Sequence, residues 1–296
     1  MSKKILKKIA CSALAAVSVF GCAGTFTACK TSNPEVKMQI EFNGETYTLK
    51  YKLYRKIAPK TVEHFMWLAE NGYYDGLCIH DYDAKALKMY TGAFTATADK
   101  EDGLEYKNYY DTVRELALKD AFPHSVWNDK GQTDPTYTLY GEFWGDSEEG
   151  NRFKVENGNL KQTFGSLTMF YEDISSYDVA SSSVWIERAS DDKMDSKVYK
   201  YNSATSQFFI SLSTGQTSSN MYCTFATLKN DSALEDFQEA LADYIEDNYD
   251  EDESFTASRT VTVNTDDAFV GSYGLQKTYD VPKEPIIINY VKVTKY

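Results

Sequence analysis

The sequence predicts a mainly β domain with a few helices, and three observations support this fold class. Apolar residues alternate with polar ones in several short runs, most clearly over residues 38–53. Asn-Gly and Asp-Gly pairs, which form tight turns, follow or separate such runs. The chain has 23 tyrosines and only 6 prolines, and 42% of its residues are apolar. This composition suits a sheet with one sizeable core better than a disordered chain.

Residues 1–28 predict a signal peptide of the bacterial lipoprotein type. Four lysines precede an apolar stretch from Ile9 to Phe20, which is too short to span a bilayer comfortably. Small residues lead to a cysteine twice, at Cys22 and at Cys29, and both sequences resemble the motif at which a cysteine is lipidated. Cys29 is the preferred site because polar residues follow it directly, and 29–36 then form a tether.

A plain secretory signal is the alternative interpretation of this leader. Both interpretations predict a protein outside the cytoplasm, and the lipoprotein interpretation also predicts a lipid anchor in the bacterial cell membrane. The formal charge is −13, and removal of the leader lysines leaves a still more acidic chain. Such a surface excludes nucleic acid as a direct partner and predicts a soluble monomer.

The sequence supports neither a metal site nor a cofactor. The three histidines are scattered, and there is no Cys-x-x-Cys pair. Cys78 and Cys223 each lie in an apolar β-like run, so buried free thiols are expected, although a disulfide between them stays open.

The first elements are a hairpin and a helix. Met38 to Phe42 and Tyr47 to Leu53 alternate around the Asn43-Gly44 turn. A helix is predicted from Pro59 to the Asn-Gly pair at 71–72, since proline is tolerated in a first turn and glycine commonly follows a last one. An Asp-Gly turn at 75–76 then leads into a short strand, LCIH.

The later elements follow the same logic. We predict a short helix over Asp111 to Asp120, strands over Tyr137 to Phe143, 165–170, 206–212 and 222–228, and a closing strand over 285–296. A late amphipathic helix places Leu234, Phe237, Leu241 and Ile245 on one face. No flexible linker divides residues 37–296, which predicts one domain with insertions at about 93–135 and 172–201.

Taken in order, several of these segments resemble motifs of the cyclophilin family of peptidyl-prolyl cis-trans isomerases. They are APKTVEHF at 58–65, NGYYDGLCIH at 71–80, YGEF at 140–143, GSLTMF at 165–170, NSATSQFFISL at 202–212 and YCTFATL at 222–228. The resemblance implies a closed eight-stranded antiparallel barrel capped by two helices. It also implies a role in protein folding, with proline-containing peptides or unfolded exported proteins as partners.

The chemistry of that family is rotation about an Xaa-Pro bond, whose barrier is high. A site for this reaction needs an apolar slot for the proline ring, polar groups for the flanking backbone and a cationic donor near the prolyl amide. In the family the donor is an arginine directly after a histidine. In this sequence His80 is followed by Asp81. An ionised aspartate can accept hydrogen bonds but cannot donate one. The resemblance therefore supplies no catalytic residue at this position.

The rest of the implied pocket is partly retained. Gln207 and Phe209 match the family, whereas Leu87, Lys88 and Tyr90 depart from its Phe-Met-x-Gln pattern. The substrate-binding residues predicted from the resemblance are His80, Leu87, Tyr90, Phe170, Gln207, Phe209 and Tyr222. Thr217 and Ser218 fall near the tryptophan and leucine of the family pocket. His80 and Phe209 each have a simpler alternative role as core side chains.

Two functions follow from this comparison. The first is an isomerase outside the cytoplasm whose activity is weak because Asp81 replaces the arginine. The second is a catalytically silent lipoprotein that binds peptides or proteins on the inherited scaffold. An arginine from elsewhere in the chain would favour the first if it entered the groove, and the candidates are Arg55, Arg114, Arg152 and Arg188.

Overall fold

The computed structural model describes residues 33–98, 103–142, 160–169, 171, 181–187, 193–216, 222–250, 252–265 and 273–296. The helices within these residues are α1 (Pro59–Glu70), α2 (Tyr109–Ala117) and α3 (Asp231–Asn248), with one 3-10 turn at Tyr199–Asn202. The strands are β1 (Glu35–Phe42), β2 (Glu45–Leu53), β3 (Leu77–Cys78), β4 (Asp81–Asp83), β5 (Lys88–Thr91), β6 (Phe94–Ala96), β7 (Leu104–Tyr106), β8 (Val126–Trp127), β9 (Leu167–Met169), β10 (Ser183–Glu187), β11 (Met194–Val198), β12 (Phe208–Ser211), β13 (Cys223–Leu228), β14 (Thr256–Thr265), β15 (Tyr273–Pro282) and β16 (Ile287–Lys295).

One curled antiparallel sheet carries most of the fold, in the strand order β4-β5-β12-β9-β13-β2-β1-β16-β3-β6-β7. The predicted hairpin is confirmed, with Phe42 opposite Glu45 across the Asn-Gly turn. The predicted closed barrel of eight strands is not confirmed, because the sheet has eleven strands among the described residues and its order is open.

The segment Leu77–Asp83 lies across this opening, because it contributes β3 beside β16 and then β4 beside β5. The Ile79 amide donates to the Ile286 carbonyl at 2.9 Å, and the next amide, of His80, donates to the Tyr90 carbonyl at 3.0 Å. Successive amides of one segment therefore bond to strands that lie far apart in the sheet order.

The main core lies between the inner face of this sheet and helices α1 and α3. Helix α1 buries Val62, Phe65 and Leu68, as its spacing predicts. Helix α3 buries Leu234, Phe237 and Leu241 against the first hairpin, where the Phe237 ring lies 5.5 Å from that of Tyr47. The described residues form three helices where the resemblance implied two capping helices, because α2 forms within the predicted insertion at 93–135.

Two regions differ from the sequence prediction. The stretch from Tyr137 to Gly141 is not a strand, since it makes only an isolated bridge between Leu139 and Ala204 and Tyr137 has a φ of 60°. The long hairpin β14–β15 was not predicted. It lies outside the main sheet and packs Val261, Val263 and Val281 against Phe94 and Leu104 in a second apolar cluster.

The insertions form structure of their own. Strands β8, β10 and β11 make a separate three-stranded sheet beside the main one. Cys78 and Cys223 are both buried and free, which agrees with the expected buried thiols. Within the described residues, no helix combines the length and the apolarity that crossing a bilayer requires.

Candidate functional site

The motifs that carry the family resemblance are hydrogen-bonded to one another. Helix α1 begins at Pro59, and its first free amides are bound by the Glu142 carboxylate. Lys60 N donates to Oε1 at 3.0 Å and Thr61 N donates to Oε2 at 2.8 Å. The Gly141 amide donates to Asn202 Oδ1 at 3.1 Å. The YGEF segment therefore joins the start of α1 to the segment that leads into β12.

A second network ties the GYYDG segment to the start of β12. Tyr74 Oη donates to the Ser206 carbonyl at 3.2 Å, and Ser206 Oγ donates to the Gly92 carbonyl at 2.6 Å. Gly92 has a φ of 102°, and a Cβ there would meet the Ser206 carbonyl oxygen and lie 2.9 Å from the Gln207 Cα. Only glycine permits this approach. The network sets the position of Gln207 and Phe209 relative to β5.

The register of β4, β5 and β12 places the predicted site residues on the outer face of the sheet. Asp81 pairs with Tyr90, and Tyr90 pairs with Phe209. The flanking residues Met89, Phe208 and Ile210 belong to the main core on the other face. Because side chains alternate along a strand, Asp81, Lys88, Tyr90 and Phe209 share the outer face. We call the surface formed by these four residues and Tyr222 the outer groove.

Phe209 forms the floor of the outer groove and is almost completely covered, with 1% of its surface exposed. The Tyr90 ring lies 5.4 Å from it and the Tyr222 ring 6.3 Å. The Lys88 ammonium lies over its face, 4.4 Å from the ring centroid. Tyr222 is itself stacked on Tyr171 at 5.9 Å. A ligand reaches the Phe209 ring only after one of these covering side chains moves.

Asp81 is half-buried at one side of the groove and has a partner in the unpredicted hairpin. Its Oδ1 accepts a hydrogen bond from the Asp280 amide of β15 at 2.9 Å. Burial raises the pKa of Asp81, and the charges of Asp280 and Asp83 raise it further, against the lowering effect of the Asp280 amide. The carboxylate thus fastens the hairpin to β4, at the position where the family places its cationic donor.

Lys88 supplies the cation that does contact Phe209. Burial lowers the pKa of its half-buried ammonium, while the Asp83 charge acts in the opposite direction. The arginines Arg55 and Arg114 make other contacts, the first with Met66 Sδ at 3.6 Å and the second over the rings of Tyr110 and Tyr137. Arg152 and Arg188 lie outside the described residues.

The other predicted site residues have varied locations. His80 is 1% exposed and packs between Phe94 and Tyr279, each ring centroid 4.9 Å away, so its position favours a core role. Gln207 is 7% exposed beside Phe209. Leu87 is exposed on the turn before β5, with a φ of 54°. Phe170, Thr217 and Ser218 lie outside the described residues.

Sequence reasoning missed the contribution of the hairpin β14–β15 to this region. A cavity of about 340 Å³ lies between the hairpin and the β3–β6 region, and its lining includes Cys78, Ala96, Leu104, Arg259 and Val281. It is separate from the outer groove, and none of the predicted site residues lines it. The alternation of Thr260 to Val263 (TVTV) was the available signal for the hairpin.

Comparisons with known proteins agree with the motif resemblance. A family model described as "Cyclophilin type peptidyl-prolyl cis-trans isomerase/CLD" matches residues 37–253, which is more than half of the chain. Curated relatives from Staphylococcus aureus (strain USA300) and Staphylococcus haemolyticus (strain JCSC1435), both named "Putative peptidyl-prolyl cis-trans isomerase", are 48% identical to it over 46 residues. The matched part spans 16% of this chain and 22% of the length of each relative.

The solved structures found by comparison include that of a Cryptosporidium parvum cyclophilin type peptidyl-prolyl cis-trans isomerase. The likeness has a TM-score of 0.40 at 16% identity and covers 89% of this chain and 99% of that chain. A structure of the same protein in the presence of the dipeptide Ala-Pro gives a TM-score of 0.40 at 15% identity, over 88% and 99% of the two chains.

Proposed function

The chain belongs to the cyclophilin-type peptidyl-prolyl cis-trans isomerase family, and from this premise we propose that it binds proline-containing segments of exported proteins and isomerises them only weakly. The observation that carries the proposal is the chemistry of position 81. A carboxylate occupies the place of the family arginine and is engaged by the Asp280 amide. Removing one preorganised donor from a transition state costs on the order of a hundredfold in rate or more.

Binding is proposed at the outer groove, with the proline ring packed on Phe209. Retention of Phe209 and Gln207 supports this location, since the family resemblance assigns both to the substrate pocket. The site is closed in the free protein by Lys88, Tyr90 and Tyr222, so binding requires side-chain movement and its affinity is weak. The leader sequence supports a place of action outside the cytoplasm, with Cys29 as the lipid-bearing residue and Cys22 as the alternative.

The test is exchange NMR on a blocked Ala-Pro peptide with equal concentrations of the wild type and two variants. Asp81→Arg introduces the missing donor. Asp83→Arg makes the same charge change on the same strand and face, but two residues away from the family position. We expect wild-type exchange little above the uncatalysed rate, a clear increase with Asp81→Arg, and no increase with Asp83→Arg.

Circular dichroism of both variants shows whether the fold is retained, since each loses a carboxylate that accepts backbone hydrogen bonds. Rapid exchange with the wild type would show that the arginine is not needed and that the proposal of weak activity is wrong. Equal behaviour of the two folded variants would show that position 81 does not limit catalysis.

A catalytically silent peptide-binding protein is the second candidate function, and the burial of Phe209 favours it. The two candidates differ in the wild-type exchange rate alone. Binding of proline peptides without any measurable acceleration would select the silent protein, whereas a small acceleration that is lost in Phe209→Ala would select the weak isomerase.

A further inference from the structure

Lys88 is placed where a ligand of the outer groove has to displace or contact it. Its ammonium lies 4.4 Å from the centroid of the Phe209 ring, on the face that would receive a proline ring. Lys88 is the first residue of β5 and lies opposite Asp83 on β4 and Ser211 on β12, so strands flank it on both sides. An ammonium held over an aromatic face gains cation–π attraction, which a neutral ligand removes when it takes the ring.

The ammonium has no carboxylate partner of its own among the described residues. The nearest candidate, Asp83, uses Oδ1 to accept hydrogen bonds from the amides of Lys85 at 3.0 Å and Ala86 at 2.8 Å, and it forms no ion pair with Lys88. The Asp81 carboxylate accepts a hydrogen bond from the Asp280 amide. Lys88 therefore presents up to three donors, and a ligand carboxylate can accept from them in addition to the electrostatic influence of Asp83.

We propose that the outer groove selects proline segments that carry an acidic side chain next to the proline, and that Lys88 recognises that side chain. The inference rests on the proposed function, since it names the class of segment that the same groove prefers. Binding moves the Lys88 ammonium from the Phe209 ring to the ligand carboxylate, and the proline ring takes its place on Phe209.

The charges in the outer groove explain why acidic, neutral and basic segments are distinguished at the Lys88 ammonium. A neutral segment displaces Lys88 and returns no charged acceptor, whereas an acidic segment replaces the cation–π contact with a charge-assisted hydrogen bond. A basic segment meets the ammonium with like charge. The carboxylates of Asp81 and Asp83 stand nearby and reduce the gain for an acidic segment, so the expected preference is several-fold and not a hundredfold.

Three blocked peptides that differ in one residue test this selection: Ala-Glu-Pro-Ala, Ala-Gln-Pro-Ala and Ala-Lys-Pro-Ala. Dissociation constants are measured by chemical-shift perturbation with the wild type, Lys88→Met and Lys85→Met. Lys88→Met restores the residue type of the family pattern and removes the charge. Lys85→Met removes the same charge from an exposed side chain on the preceding turn and serves as the matched control.

For the wild type we expect the Glu peptide to bind about fivefold more tightly than the Gln peptide, and the Lys peptide to bind most weakly. Lys88→Met should lose the preference for Glu, so that the Glu peptide binds no more tightly than the Gln peptide, and it should bind the Gln peptide more tightly than the wild type does. Lys85→Met should retain the wild-type order.

Equal wild-type affinity for the Glu and Gln peptides, or a preference that persists in Lys88→Met, would overturn this inference and leave the proposed function standing. If no peptide shifts any resonance near Phe209 in the wild type or in Lys88→Met, the groove is not a peptide site, and both the inference and the proposed function fail.

Discussion

At the scale of single residues, the change from arginine to aspartate at position 81 is accompanied by a new contact. The carboxylate accepts a hydrogen bond from the Asp280 amide of the hairpin β14–β15. It therefore stabilises a part of the fold that the family motifs do not include. His80, its neighbour, lies between Phe94 of the sheet and Tyr279 of the same hairpin. Two adjacent residues that the family uses near its site here fasten the hairpin.

The burial of His80 predicts an acid-sensitive fold. Burial, with a smaller effect of the Lys277 charge, lowers the pKa of His80 from about 6.5 to about 3. Between pH 6.5 and about pH 3, His80 is protonated in the unfolded chain but stays neutral in the folded protein. The free energy of unfolding therefore falls as the pH falls. The wild type should lose roughly 1.7 kcal/mol of its free energy of unfolding through His80 between pH 6.5 and about pH 5, and His80→Phe should lack this part of the loss.

Urea unfolding at the two pH values measures this difference. His64 is also buried, and its pKa is lowered to about 4 by burial, so the variant should retain part of the acid sensitivity. An identical loss of stability in the variant and the wild type would show that His80 does not remain neutral in the folded protein.

At the scale of elements, β5 and the start of β12 are held together by a close backbone approach. Ser206 Oγ donates to the Gly92 carbonyl, and the position of a Cβ at residue 92 is occupied by the backbone of residues 206 and 207. Since Phe209 lies only two residues after Gln207, this contact helps to position the floor of the outer groove. The elements of the site are therefore sensitive to a substitution of Gly92.

We expect Gly92→Ala to destabilise the protein by about 3 kcal/mol or more, because it combines an unfavourable positive φ with a backbone clash. Gly44→Ala is the matched control, since Gly44 has a φ of 82° in the first hairpin but nothing within 4 Å of a Cβ. It should cost only about 1 kcal/mol. Thermal and urea unfolding of both variants provide the comparison, and equal losses would show that the close approach does not matter.

The sequence predicted those elements whose side chains follow one simple pattern. The first hairpin and helices α1 and α3 have clear periodicity and turn residues, and all are present. The strand predicted over Tyr137 to Phe143 is wrong at its described residues, because Gly141 and Glu142 bond to distant segments and hold the stretch as a loop. The cover over Phe209 was not predictable either, since Lys88, Tyr90 and Tyr222 meet only in the folded sheet.

At the scale of the whole molecule, the proposed tether and the acidic charge act together. The full chain has a formal charge of −13, and a chain without the leader lysines is more acidic still, so anionic headgroups repel it. A lipid on the amino-terminal cysteine would therefore hold it near a membrane without surface adsorption. We expect lipid on Cys29 of the processed protein. Mass spectrometry of the mature amino terminus tests this, with Cys29→Ser as the control, and an unmodified terminus at another residue would contradict it.

The hairpin β14–β15 has a further consequence for the edge of the main sheet. Strand β4 ends the sheet order, and a bare sheet edge is a template onto which an extended client could add as a further strand. The strand β15 runs beside β4, with Asp280 bonded to Asp81 and Tyr279 packed on His80. An extended chain that approaches β4 therefore meets a covered edge, and edge-to-edge strand pairing is disfavoured at this side of the molecule.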